Sequence, residues 1–249
     1  LHAALTSDDP PFYVMYVYGP GGVGKTTLLH EFAHDAEQLG AAAAYFDVRS
    51  IEPTPDAFAA GLAQALGGAP HDQPADLLQS RSRKTVLIFD TCELLAPRGR
   101  RGAGRRANLE GWLRESFLPE LPATTITVMA GRSAPSSAWS ADPGWQSLLE
   151  VVPLRNLTPS ESMAYLDLRT VPAEERSGIV DWTHGHPLAI SLVADVLDQQ
   201  PDGHFEPIAA PNIIGLLIER LVQEAPSRLH RMTLEAACLA LYMTEALLA

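Results

Sequence analysis

Residues 16–29, YVYGPGGVGKTTLL, constrain this chain more than any other stretch. They match Gly-x-x-x-x-Gly-Lys-Ser/Thr at Gly19, Gly24, Lys25 and Thr26, a loop whose backbone N–H groups can cradle phosphate oxygens. Such a loop works only between a buried strand and a helix. The flanking sequence supplies both. FYVMYVYG (12–19) is aromatic and β-branched, as a buried strand requires, and KTTLLHEFAHDAEQLG (25–40) places Leu28, Leu29, Phe32 and Ala36 on one helical side before Gly40.

Composition sharpens the match. The chain has 16 Arg but only two Lys, Lys25 and Lys84. At average usage the pattern arises by chance in roughly one chain in a hundred of this length, and rare Lys lowers the odds further. A net charge of −12 argues against a surface built for nucleic acid. Cys92 and Cys238 suggest neither a disulfide framework nor a zinc site, so a reducing cytoplasm is expected. No apolar run approaches the roughly 20 residues of a membrane span. The opening LHAALTSDDPP has no Met and no signal-peptide character, so the chain reads as a piece of a longer protein.

Further strands are expected at 41–48, 85–90, 124–132 and 147–154, with helices at 54–68 and 107–121. Five strands joined by helix-length connections imply a parallel sheet covered on both faces. Ligands of such sheets sit at the carboxyl ends of the strands, where Gly19, Asp90 and Arg132 fall. After Pro153 the pattern turns helical, at 158–168, 174–182, 187–199, 212–224 and 228–240. The expected organisation is therefore α/β, a P-loop NTPase sheet over 1–155. An all-α helical domain (156–226) and the start of another domain (227–249) follow.

The loop Gly19, Pro20, Gly21, Gly22, Val23, Gly24, continuing into Lys25, Thr26 and Thr27, would surround phosphates at a helix N-terminus. Lys25 would reach the β- and γ-phosphates and Thr26 would ligate Mg²⁺, with Asp90 as the second magnesium-directed carboxylate. Two readings stand for Glu93: a base that polarises an attacking water, or a solvated surface carboxylate. Arg132 is either a γ-phosphate sensor or a salt-bridged surface residue. Pro187, at a helix start, could stack on a base. His184 and His186 lack a third ligand, so a metal there is not expected. RGRRGAGRR (98–106) reads as a solvated loop because no aromatics are interleaved. Guanine reading through Asn/Thr-Lys-x-Asp finds no candidate, since Lys84 lies in SRKTVL, and adenine is the expected base.

With GPGGVGKTTLL, LIFDTCELL, TVMAGR and GHPLAISL in this order, the chain resembles the STAND class of signalling P-loop ATPases, relatives of NB-ARC and NACHT modules. More narrowly it is similar to the ATPase core of large bacterial multidomain regulators. The closing RLHRMTLEAACLALYMTEALLA resembles the opening of that class's winged helix. The resemblance implies a slow Mg-dependent ATPase switch, closed with ADP and opened by ATP for self-association or engagement of a partner domain. It assigns Lys25 and Thr26 to phosphate and Mg²⁺, Asp90 to the Walker B role, Glu93 to water, Arg132 to the sensor and Pro187 to the base. A phosphotransferase or a DNA-acting ATPase motor is the alternative.

Overall fold

The computed structural model describes residues 1–52, 54–95, 109–199 and 205. The expected helices 212–224 and 228–240, the winged-helix opening and the Arg-rich loop 98–106 lie outside the described residues. The chain divides into two compact units. One comprises Leu1–Pro20 with Lys25–Leu154, and the other Gly21–Gly24 with Arg155 onward.

The first unit is built on five parallel strands, β1 (Val14–Tyr18), β2 (Ala42–Asp47), β3 (Thr85–Asp90), β4 (Thr125–Gly131) and β5 (Leu149–Pro153). Their order is β2-β3-β4-β1-β5. β1, β3 and β4 are central and almost wholly buried, which is why each reads as a continuous apolar run rather than an alternating one. β2 lies at an edge and alternates, with Ala42, Ala44 and Phe46 buried and Tyr45 and Asp47 half-buried.

The helices in chain order are α1 (His2–Thr6), α2 (Lys25–Gln38), α3 (Pro55–Ala65), α4 (Pro74–Gln79), α5 (Leu109–Trp112), α6 (Ser137–Ala141), α7 (Pro143–Gln146), α8 (Pro159–Leu168), α9 (Ala173–Thr183) and α10 (Pro187–Gln199). Two separate apolar clusters form on the sheet. One gathers Leu29 and Ala36 of α2 with Met15, Val17, Val86, Ile88 and Val128. The other gathers Phe58 and Leu62 of α3 with Tyr16, Phe46, Phe89 and Met129. Thr54 caps α3 by accepting from the Ala57 N–H, and Pro55 follows at the first helical position, as expected.

Two sequence expectations need correction. The helix expected over 107–121 is broken: α5 runs into a π-helical turn at Leu113–Phe117 and then a 3₁₀ turn at Leu118–Glu120. Pro119 has no N–H to continue an α ladder, and its ring would strike the carbonyl of residue 115, so the turns must widen and end. Four short helices, α1, α4, α6 and α7, were not anticipated. At four to six residues each they show too little of a 3.6-residue period to stand out.

In the second unit a capping box starts α8. Thr158 accepts from the Glu161 N–H, and Glu161 accepts from the Thr158 N–H at 2.7 Å. α9 ends on His184 and Gly185, both at positive φ. A Cβ on Gly185 would lie 2.0 Å from the Leu157 carbonyl oxygen, so only glycine fits there. Leu166, Ile179, Ile190 and Val193 form the apolar centre of this unit.

Phe58 has no exposed surface and meets Phe46, Phe89, Trp112 and Phe117 edge-on. Phe58→Ala is expected to destabilise the first unit by about 3–5 kcal/mol in urea unfolding, because the rigid strands beneath cannot close the cavity.

Candidate functional site

The loop after β1 is shaped by backbone geometry. Gly22 (φ +70°) and Gly24 (φ +97°) occupy the region that residues with a Cβ avoid. A Cβ on Gly24 would meet nothing within 4 Å, so its φ alone calls for glycine. At Gly22 a Cβ would also lie 2.7 Å from the His186 ring. The loop opens with the Gly19 N–H donating to the Gly131 carbonyl at 3.2 Å, which ties it to the end of β4. It closes with the Lys25 ammonium donating to the Gly19 and Pro20 carbonyls, both at 2.8 Å. α2 begins at Lys25, so its first-turn N–H groups and positive dipole end lie at the loop.

Within the second unit, the loop glycines receive two hydrogen bonds from the start of α10. The Leu188 N–H donates to the Gly22 carbonyl at 3.2 Å, and His186 Nε2 lies 3.3 Å from the Gly21 carbonyl. The Ala189 N–H points at His186 Nδ1, which makes Nδ1 the acceptor and Nε2 the donor. Pro187, half-buried, is the first helical residue.

Asp90 ends β3 with only 3% of its surface exposed. Its Oδ2 accepts from Thr26 Oγ1 at 2.8 Å and from the Tyr45 hydroxyl at 2.6 Å, and its Oδ1 from the Thr91 N–H at 2.7 Å. The structure thus brings together Thr26 and Asp90, 64 residues apart. A threonine hydroxyl that gives its proton to a carboxylate keeps its lone pairs for a hard cation. Among the described residues no cluster of three or more His, Cys, Asp or Glu side chains could hold a metal ion by itself. This donor set fits Mg²⁺, which keeps waters and takes one or two protein oxygens together with substrate phosphates, rather than a metal that needs a full protein cage.

Between Asp90 and Glu93 the chain turns through Thr91, a β-branched residue at φ 63°. Burial pushes the carboxyl of neighbouring Asp47 up, but hydrogen bonds from Arg49 hold it below the usual range. The turn carries Glu93 to Arg132, just past β4, and Arg132 Nε donates to Glu93 Oε1 at 3.0 Å. Glu93 Oε2 is buried without a hydrogen bond. Glu93 also lines a cavity of about 190 Å³ with Tyr16, Glu110, Met129 and Ser133, ample for water. Cys92 is buried, and burial pushes its thiol well above its ordinary pKa, which disfavours the thiolate.

Two members of this arrangement escaped the sequence reading. Tyr45 sits in AAAAYFDV, where its role depends on β2 pairing with β3 and cannot be seen locally. Gly131 reads as a small strand residue, yet a Cβ there would lie 2.8 Å from the Tyr16 hydroxyl. The Gly in MAGR, just before an anticipated phosphate sensor, was the available signal.

The family model for the NACHT domain matches residues 13–170. Among solved structures, the Aeropyrum pernix ORC1 protein in complex with DNA is similar, with 16% identity and a TM-score of 0.58 over 96% of this chain and 68% of that one. A chain of the E. coli MS115-1 HORMA:CdnC:Trip13 complex is also similar, with 11% identity and a TM-score of 0.53 over 82% of this chain and 73% of that one. At these identities the likeness is one of fold. The search of curated proteins found no match. No helix among the described residues is long and apolar enough to cross a membrane.

A double-mutant cycle of Glu93→Gln and Arg132→Ala, read by urea unfolding, is expected to give a coupling of about 1 kcal/mol. That is the upper end for exposed pairs, because both side chains are at most a third exposed. A coupling near zero would mean that the pair does not order the turn.

Proposed function

This chain belongs to the NACHT family, P-loop proteins that bind and hydrolyse nucleotide, and on that premise we propose that it is an adenine-nucleotide switch with slow hydrolysis. The observation that carries the reading is the Thr26–Asp90 hydrogen bond, which joins the helix after the glycine loop to the end of β3. In this reading residues 1–155 bind the nucleotide, 156–226 form the lid, and 227–249 begin a winged helix.

Each residue then has a defined task. The N–H groups of Gly19–Gly24 and the start of α2 hold the phosphates. Lys25 moves its ammonium from the Gly19 and Pro20 carbonyls to the β- and γ-phosphate oxygens. Thr26 and Asp90 hold Mg²⁺, which when bound neutralises charge on the phosphates. Glu93 accepts a proton from water as the water oxygen bonds the γ-phosphorus and the bond to the β–γ bridging oxygen breaks. Arg132 donates to the γ-phosphate, and Pro187 packs on the adenine. The Glu93–Arg132 pair supports slow turnover, because each group must leave the other before either can act. Rates on the order of 10⁻² per second or slower are expected for a P-loop site without an added arginine.

Adenine is favoured because the one lysine outside the loop, Lys84, donates to the Ala4 and Ser7 carbonyls and reads no base. The ORC1 structure contains DNA, but a net charge of −12 weighs against nucleic acid as the ligand here. A phosphotransferase is the weaker reading, since the Asp90/Glu93 pair suits activation of water. We place the protein in the cytoplasm, with self-association or a partner domain engaged in the ATP state.

Chromatography of nucleotide released by denaturing the purified chain tests this. The expected result is near-stoichiometric ADP from wild type, none from Lys25→Ala, and retained ATP in Glu93→Gln. A nucleotide-free wild type that turns over many ATP per second would replace the switch with a motor or a kinase.

A further inference from the structure

We propose that Tyr45 is a positioning residue for the magnesium-directed carboxylate, holding Asp90 Oδ2 aimed at Thr26; this rests on the reading of Thr26 and Asp90 as the Mg²⁺ pair. The pairing of β2 with β3 sets Asp47 beside Asp90 and puts Tyr45 two residues back on the same face of the sheet. From there its hydroxyl donates to Asp90 Oδ2 at 2.6 Å, the same oxygen that accepts from Thr26 at 2.8 Å. The Thr91 N–H fixes the other oxygen. With three donors on two oxygens from three elements, the carboxylate has one orientation available.

The tyrosine is itself held. His30 of α2 stacks on its ring, with centroids 4.8 Å apart and planes 10° from parallel. His30 and Thr26 are four residues apart and share one face of α2. The same helical face therefore presents the cation-directed hydroxyl and clamps the group that orients that hydroxyl's acceptor.

The consequence concerns where the Thr26 proton points. While Oδ2 is aimed at it, the hydroxyl gives its hydrogen to Asp90 and turns its lone pairs outward. Without Tyr45 the carboxylate can rotate, and the Thr26 proton loses its directed acceptor and competes with the cation for the same space. Tyr45 should then matter to nucleotide binding only when Mg²⁺ is present.

The test is a titration of the full chain with a fluorescent ADP analogue, in EDTA and across a Mg²⁺ series, for wild type, Tyr45→Phe and His30→Ala. Tyr45→Phe keeps the ring, and His30 is exposed, so the second variant folds even if the first does not. Affinity in EDTA should be the same in all three within twofold. The Mg²⁺ concentration for half-maximal enhancement should rise about tenfold in Tyr45→Phe, the effect of one charge-assisted hydrogen bond, and two- to threefold in His30→Ala. An unchanged Mg²⁺ requirement in Tyr45→Phe, with a wild type that responds to Mg²⁺, overturns the proposal alone. Equal losses with and without Mg²⁺ also overturn it, by making Tyr45 merely structural. A wild type indifferent to Mg²⁺ removes the Thr26–Asp90 reading and this proposal with it.

Discussion

A carboxylate almost wholly buried at the end of a central strand is the constraint around which the first unit is arranged. An ionised Asp90 without partners would cost several kcal/mol, so donors must be brought to it. Thr26 comes from α2, Tyr45 from β2 and the Thr91 N–H from the following turn. None of these three donors is a cation, which is compatible with a divalent ion at the Thr26–Asp90 pair. The helix after the glycine loop, the edge strand and the turn into Glu93 are thereby held in one geometry.

The same demand explains the strained residue at the centre of the turn. Thr91 at φ 63° costs on the order of 1–3 kcal/mol, and it persists because its N–H is committed to Asp90. The reward for this conformation is the direction in which Glu93 leaves the strand. It meets Arg132 across the end of β4, at a point where Gly131 leaves room for the Tyr16 hydroxyl. Glu93 thus has one oxygen paired to arginine and the other buried without a hydrogen bond, and its side chain lines a cavity.

Much of this was legible beforehand because it rests on local rules. The five strands and α2, α3, α8, α9 and α10 follow from runs and periods that neighbouring residues carry by themselves. So does the glycine loop, where φ above zero can be met by glycine and little else. The helix over 107–121 misled because its apolar spacing is helical while Pro119 forbids the ladder that spacing implies. The Arg132–Glu93 ion pair matches the salt-bridged alternative for Arg132, but its partner, 39 residues away, could not be read locally.

The sequence by itself determined that a phosphate-binding loop lies between a strand and a helix, that the sheet is parallel, and that Gly19, Asp90 and Arg132 lie at its carboxyl end. These are consequences of backbone geometry and of hydrophobic patterns that act within a dozen residues. Only the tertiary structure decided the partners: Tyr45 on Asp90, His30 on Tyr45, Arg132 on Glu93, and Leu157 packed so closely against Gly185 that no side chain fits. Partnership depends on strand order and register, which place residues far apart in sequence within ångströms of each other. No local pattern encodes that distance.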